Sequence, residues 1–154
     1  MADKPSLKRL LWAGPLTIVI AVMVNLILRF IATALLQPSE SFIPLSARGP
    51  VAPFTVIGTL GAVIVFALVA QFAPSPIRTY RIISVVALSL TFIPDMLLLF
   101  GPRSPAGAAP PVGGPPPMEG VTFPNVLALM TMHVAAWAVC AFLLPRLTRS
   151  TPAQ

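Results

Sequence analysis

The stretch "LLWAGPLTIVIAVMVNLILRFIATALL", residues 10–36, decides the class of this protein. Arg29 is its only charged side chain, and about 20 apolar residues are enough to cross the hydrocarbon core of a bilayer. Three more apolar runs follow, at about 51–73, 82–100 and 121–144. Each run is bounded by proline, glycine or charge, so the sequence predicts four transmembrane helices.

The composition of the whole chain agrees with a membrane protein. Of its 154 residues, 56% are hydrophobic and 9% are charged, and the mean hydropathy is +0.91. A soluble domain carries about 25% charged residues. Within lipid the backbone must satisfy its own hydrogen bonds, which favours helices for these runs. We therefore expect an all-α membrane protein, a single domain over residues 1–154, built as an antiparallel bundle of four transmembrane helices.

A cleaved signal peptide is an alternative for the first run, because "ATA" at 32–34 resembles a small-residue cleavage site. The apolar part of a signal peptide is about 7–15 residues long. The apolar run from residue 10 to residue 28 is longer than that. A retained helix is therefore the prediction.

Basic residues predict the orientation of the helices. In a four-span protein the N-terminus, the loop 74–81 and the C-terminal tail share one side, and the loops 37–50 and 101–120 share the other. The first side has seven basic residues and the second has two. They are Lys4, Lys8, Arg9, Arg78, Arg81, Arg146 and Arg149 on the first side, and Arg48 and Arg103 on the second. Because Lys and Arg are enriched in cytoplasmic loops, both termini are predicted to lie in the cytoplasm. The positive charge then reflects topology in the cell's inner (plasma) membrane, and nucleic acid is not an expected partner.

The loop 101–120 has an unusual composition, with seven prolines and five glycines. Such a segment cannot build a packed core, and polyproline II or disorder is expected. We interpret it as a tether between the third and fourth helices. A docking site for a partner with an aromatic groove is the alternative.

Polar side chains inside the apolar runs are the candidate functional residues. A charge at the bilayer centre costs at least about 2.5 kcal/mol, so Arg29 and Asp95 need partners. At 1.5 Å per residue, Arg29 lies roughly 10 Å and Asp95 roughly 7–8 Å below the outer boundary. We therefore predict an intramembrane ion pair between them. By the same estimate Asn25 and His133 lie one layer deeper.

Several neighbours are candidates for supporting this polar cluster. Thr33 and Thr91 lie one helical turn from Arg29 and Asp95, and Asn125 lies two turns from His133. Pro94 removes a backbone donor and predicts a helix kink. That kink either opens a small polar cavity beside the acid or only bends the helix around its neighbours.

The cluster has two interpretations that the sequence leaves open. Buried ion pairs can fix helix register, and intramembrane charges also mark proton or substrate paths. Ligation of haem or a pigment by His133 is a third idea, weakened by the absence of a second spaced ligand, so any cofactor stays unknown. No catalytic motif and no metal-binding motif is found, and Cys140 is interpreted as a packing residue.

Two further predictions concern packing and the membrane interface. The second run places Thr55, Gly58, Thr59, Gly61 and Ala62 close together. Small residues let helices approach closely, so we expect this group to pack inside the bundle. Trp12 and Tyr80 lie near the inner boundary, where aromatic residues anchor helices, and both are predicted to be interface anchors.

Three segments resemble a known family. They are "VNLILRF" in the first helix, "PIRTYRIISVVALSLTFIPD" across the loop and third helix, and "LALMTMHVAAWAV" in the fourth. They are similar to a family of small bacterial four-helix membrane proteins catalogued as a domain of unknown function. The resemblance spans nearly the whole chain and implies the four-span fold, but it implies no reaction. The long Pro/Gly loop departs from the family's usual compact pattern.

The functional expectation is an accessory or interaction subunit of a membrane complex. Such a protein has the lipid bilayer and other membrane subunits as its partners. The alternative is a small transporter or proton-linked channel that uses Arg29, Asp95 and His133 as a polar path. An enzyme ranks third, because no catalytic arrangement is visible.

Overall fold

The computed structural model of this protein describes residues 5–40, 42–46, 50–100 and 121–149. This part of the chain is helical and contains no strand. Its helices are α1 (Leu7–Leu36), α2 (Ile43–Ser46), α3 (Val51–Phe72), α4 (Pro76–Phe100) and α5 (Phe123–Thr148). The four long helices are each long and apolar enough to cross a membrane. The structure therefore confirms the predicted all-helical fold and the predicted number of helices that are long and apolar enough to span a membrane.

The helix boundaries differ most from the predicted ones at the start of α4 and at the end of α5, and proline lies near both. α4 begins at Pro76 instead of residue 82, because proline fits the first helical position, where no amide donor is needed. Arg78 and Arg81 are therefore helical residues and do not lie in a loop. α5 continues through Pro145 and ends at Thr148.

The loop between the first two long helices contains a helical turn that the sequence did not predict. Phe42 and Leu45, at the start of α2 and within it, are fully buried. The segment "FIPL", residues 42–45, thus places two buried apolar side chains in a polar loop. The Pro/Gly-rich loop 101–120 and Arg48 lie outside the described residues, so the predictions made for them stay predictions.

Two buried clusters hold the helices together. The first, the Tyr80 cluster, draws one or more residues from each of the four long helices: Leu10, Phe66, Tyr80, Cys140 and Leu144. The second, the Phe42 cluster, involves only α1, α5 and the α2 segment: Ala32, Phe42, Leu45 and Met132. Outside these clusters large apolar side chains remain exposed on all four long helices, as expected for a surface in contact with lipid.

Tyr80 is a core residue and not the interface anchor that the sequence predicted. It is 1% exposed, and its ring meets that of Phe66 edge to face, with centroids 4.8 Å apart. The prediction was wrong because it placed Tyr80 in a loop. Since α4 begins six residues earlier, Tyr80 is helical and lies on the same inward face as the buried Ser84.

The contacts of α1 and α5 run in opposite order along the two helices. The amide of Ser6, which caps α1, donates to the carbonyl of Thr148 at the end of α5 (2.9 Å). Near the other end of α1, Ala32 shares the Phe42 cluster with Met132. The start of α1 thus lies beside the end of α5.

A close contact between α1 and α3 occurs at a glycine that the sequence analysis did not single out. A Cβ atom on Gly14 would lie 3.0 Å from Cγ1 of Val63, so the absence of a side chain allows the contact. We expected Gly58 and Gly61 to pack inside the bundle, but a Cβ atom added to either of them would meet nothing within 4 Å. Of that predicted group, Thr55 and Thr59 are buried.

Candidate functional site

The structure pairs Asp95 of α4 with His133 of α5. Oδ2 of Asp95 lies 3.5 Å from Nε2 of His133. This distance is longer than a hydrogen bond between nitrogen and oxygen, so the contact is electrostatic. The carboxylate is nearly enclosed, with 6% of its side chain exposed, while the imidazole is 43% exposed. The Asp95 carboxylate therefore lies inside the bundle, and the His133 imidazole lies between it and the surface of the bundle.

The predicted partner of Asp95 was Arg29, and the depth estimate had placed His133 about 10 Å deeper than the acid. The direction of helical side chains explains the difference. Helical side chains lean toward the N-terminus of their own helix. The contacts of Trp137 with Ser84 and of His133 with Asp95 run in opposite order along α5 and α4. Asp95 and His133 therefore lean toward each other.

Arg29 is bound elsewhere. Its Nε donates to the backbone carbonyl of Leu45 in α2 (3.1 Å). The carbonyl groups near the end of a helix lack partners within that helix, so a guanidinium can satisfy one of them. Arg29 thus attaches the buried α2 turn to α1, and this contact replaces the one predicted with Asp95.

Asn25 is buried and joins α1 to α3. Its Nδ2 donates to Oγ1 of Thr55 (3.0 Å), and the Thr55 hydroxyl in turn donates to the carbonyl of Val51 (2.7 Å). Among the described residues, the buried amide oxygen of Asn25 has no hydrogen-bond partner. The predicted layer of Asn25 with His133 is therefore two separate contacts, one with α3 and one with α4.

The residues predicted to support the cluster have different positions. The hydroxyl of Thr33 donates to the Arg29 carbonyl of its own helix (2.9 Å). Thr91 is exposed and donates to the Leu88 carbonyl (2.7 Å), so it does not extend the inward polar face. Asn125 is 4% exposed. Pro94 lies inside α4, which continues past it to Phe100, and its kink stays a prediction.

Sequence reasoning missed a second polar contact between α4 and α5. The indole Nε1 of Trp137 donates to Oγ of Ser84 (3.1 Å), and Ser84 is buried. Tryptophan has one donor and usually finds a partner for it when buried. Since Trp137 follows His133 by one helical turn, the spacing alone could have placed both side chains on the face of α5 that meets α4.

The arrangement has one chemical property of note, which is a shortage of donors. Two buried acceptor atoms, Oδ1 of Asn25 and Oδ2 of Asp95, have no hydrogen-bond partner among the described residues. An unsatisfied buried acceptor costs about 1–3 kcal/mol. Among the same residues no group of three or more His, Cys, Asp or Glu could hold a metal ion. The site therefore offers acceptors and one half-exposed imidazole.

Comparison with known proteins gives no relative for this chain. No family model, curated protein or solved structure matches it. The function must therefore be argued from the chain's own residues.

Proposed function

We propose that this chain is an interaction subunit of a membrane complex, in which a transmembrane helix of another protein covers His133. The observation that carries the proposal is the half-exposed imidazole in contact with a buried acid. His133 lies ten residues into α5, about 15 Å from its start. Its partner Asp95 lies five residues before the end of α4, so the pair lies about 8–15 Å from these helix ends, within a hydrocarbon core of about 30 Å.

At this depth neither water nor lipid satisfies an exposed imidazole. Polar side chains within a membrane are unfavourable unless they face protein or a water-filled cavity. A hydrogen bond between two membrane helices contributes about 0.6 kcal/mol on average. A covering helix with a polar side chain would give His133 a partner and enclose Asp95 behind it.

A second surface also favours association. Gly58 and Gly61 lie one turn apart on α3, and the space above both is open. Glycines at such spacing allow another helix to approach the backbone closely. The chain uses the same property internally at Gly14, where Val63 occupies the space.

Site-specific photo-crosslinking in the native cells tests the proposal. A photoreactive residue at Val134, which follows His133 and is 41% exposed, should crosslink to a membrane protein. The same residue at Leu11 of α1, which is 79% exposed, serves as the control. Replacement of His133 by Phe should abolish the crosslink at Val134. Equal crosslinking at both positions, or none at Val134, would contradict the proposal.

We further propose that the four long helices cross a bacterial inner membrane in alternating directions, with both termini in the cytoplasm. The excess of basic residues on one side supports cytoplasmic termini. The opposite order of contacts along α1 and α5 supports alternating directions. The resemblance to a bacterial four-helix family stays a prediction and is in keeping with this location.

The orientation can be tested with single cysteines, because Cys140 is the only cysteine of the chain. In a Cys140→Ala background, Ser39→Cys and Ser75→Cys place the same side chain on the two predicted sides. A membrane-impermeant maleimide should label Ser39→Cys in intact cells and Ser75→Cys only after permeabilisation. The reverse pattern would invert the topology.

A proton-linked transporter is the second candidate, favoured by the contact between two titratable groups, Asp95 and His133. Arg29 no longer belongs to such a path, because it binds Leu45. The transporter predicts a proton flux in liposomes of the purified chain that Asp95→Asn abolishes and Arg29→Gln leaves intact. The interaction subunit predicts no flux from the purified chain.

A further inference from the structure

A groove with three arginines lies where the start of α4 meets the end of α5. It has a volume of about 740 Å³, and its lining includes Ser75, Ile77, Arg78, Arg81, Ile82 and Arg149. We name it the arginine groove. It is distant along the helices from Asp95, which lies five residues before the end of α4, and so it is separate from the site described above.

Within the part of the chain that the structure describes, no carboxylate forms an ion pair with the arginine groove. The carboxylates in the described ranges are those of Glu40 and Asp95. Glu40 follows the end of α1, and Asp95 lies near the end of α4, whereas the groove is formed by the start of α4. Within the described residues the three guanidinium groups have no acidic partner. An arginine side chain keeps its charge at any cellular pH and can bind a phosphate through two parallel hydrogen bonds.

The start of α4, whose first residues line the groove, also has backbone donors without an acceptor in the helix. The amide of Thr79 donates to the Ser75 carbonyl (3.0 Å) and closes the first turn. The amides of Ile77 and Arg78 precede that bond and have no acceptor within the helix. Free amides and the helix dipole at an N-terminus both favour an anion. They therefore act in the same direction as the three guanidinium groups.

The groove also has an apolar wall, which distinguishes a lipid from a soluble anion. Ile82 is 57% exposed, and the surface of α4 continues with the exposed Val85 and Val86. The guanidinium of Arg81 lies 6.0 Å from the centre of the Phe142 ring on α5. A charged rim that continues into an apolar helix surface matches a phosphate group attached to acyl chains.

We propose that the arginine groove binds the phosphate headgroup of an anionic membrane lipid. The proposal rests on the proposed membrane crossing, which places the start of α4 and the end of α5 at one membrane surface. It does not depend on which side of the membrane that surface faces, nor on any protein partner. A failure of the lipid experiment would therefore leave the crosslinking and labelling results unaffected, and the reverse also holds.

The test measures lipid binding to the purified full-length chain in a neutral detergent by native mass spectrometry. Phosphatidylglycerol is compared with phosphatidylcholine of the same acyl chains, and inorganic phosphate is added as a competitor. The variant Arg78→Gln/Arg81→Gln removes two charges from the groove. The variant Lys8→Gln/Arg146→Gln removes two charges from the same end of the bundle, outside the groove, and is the matched control.

We expect the unmodified chain to bind phosphatidylglycerol more tightly than phosphatidylcholine. In the groove variant the affinity for phosphatidylglycerol should fall about 25-fold, because each arginine contributes about fivefold. The control variant should weaken binding by less than about threefold. Equal losses in both variants would show a diffuse basic surface and overturn the proposal. Equal binding of the two lipids would also overturn it, and so would full displacement by millimolar inorganic phosphate.

Two further measurements cover the case in which the groove variant fails to fold. Arg78→Lys/Arg81→Lys keeps both charges and should retain most of the preference for phosphatidylglycerol. In the unmodified chain, raising the salt from 0.1 to 0.5 M should weaken phosphatidylglycerol binding and leave phosphatidylcholine binding unchanged. Loss of the preference in the lysine variant with intact helical structure, or a salt-independent preference in the unmodified chain, would contradict a headgroup held by charge.

Discussion

The two ends of the bundle are built in different ways. At the end of the Tyr80 cluster, all four long helices contribute apolar or aromatic side chains, and the charged residues lie around the outside. At the end of the Phe42 cluster, the described buried apolar residues come from α1, α5 and the α2 segment. The same half of the molecule buries Asn25, Asp95 and Asn125.

The two ends therefore contribute to the fold in different ways. Lipid is as apolar as leucine, so apolar side chains join membrane helices through close packing and not through exclusion of water. The Tyr80 cluster supplies such packing. The polar contacts at the other end add little energy each, but they determine which helix faces align. The candidate functional groups lie at that second end.

The largest expected effect comes from breaking the Tyr80 cluster. Phe66→Ala removes a fully buried ring that packs against Tyr80. The cavity should lower the free energy of unfolding by about 2 kcal/mol, since the transfer contribution seen in soluble proteins is absent in lipid. The measurement is a detergent-denaturation curve in mixed micelles.

Phe72→Ala is the matched control on the same helix, because Phe72 is 76% exposed. It should change the unfolding free energy by less than about 0.5 kcal/mol. If the two alanine variants are equally stable, apolar packing does not hold this end of the bundle.

Much of the fold could be predicted from the sequence, because apolar runs of membrane-spanning length have few alternatives. The start of α4 could have been placed correctly too, since Pro76 is a typical first residue of a helix. That error moved Tyr80 from the core to a loop. The α2 turn was missed because four apolar residues in a polar loop were not treated as a buried segment.

The candidate site could be predicted only in part. The burial of Asn25 and Asp95 follows from polar residues in apolar runs. Their partners do not, because a depth estimate gives the height of a residue and says nothing of helix rotation. Arg29 and Asp95 were matched by height, but α2 occupies the face of α1 that bears Arg29.

A double-mutant cycle sharpens the comparison at the polar end. Asp95→Asn and His133→Phe should show a coupling of about 0.6 kcal/mol in the unfolding free energy, the average for polar pairs between membrane helices. Asp95→Asn and Arg29→Gln should be additive within about 0.3 kcal/mol. A larger coupling with Arg29 than with His133 would restore the ion pair first predicted from depth.

The smallest expected effect concerns the hydrogen bond between α1 and α3. Thr55→Val keeps the shape of the side chain and removes the acceptor of the Asn25 amide, at an expected cost of about 0.6 kcal/mol. Thr131→Val is the matched control, because the Thr131 hydroxyl also donates to its own helix (2.8 Å) but is exposed. Its expected cost is near zero.

The same denaturation curves decide the outcome. If Thr55→Val lowers the unfolding free energy as much as Phe66→Ala, polar contacts stabilise their end of the bundle as strongly as packing stabilises the other. The contrast between the two ends is then lost. If Thr55→Val and Thr131→Val are both neutral, the contact between Asn25 and Thr55 adds no stability. Only a small but measurable loss confined to Thr55 fits a bundle in which packing fixes one end and polar contacts align the other.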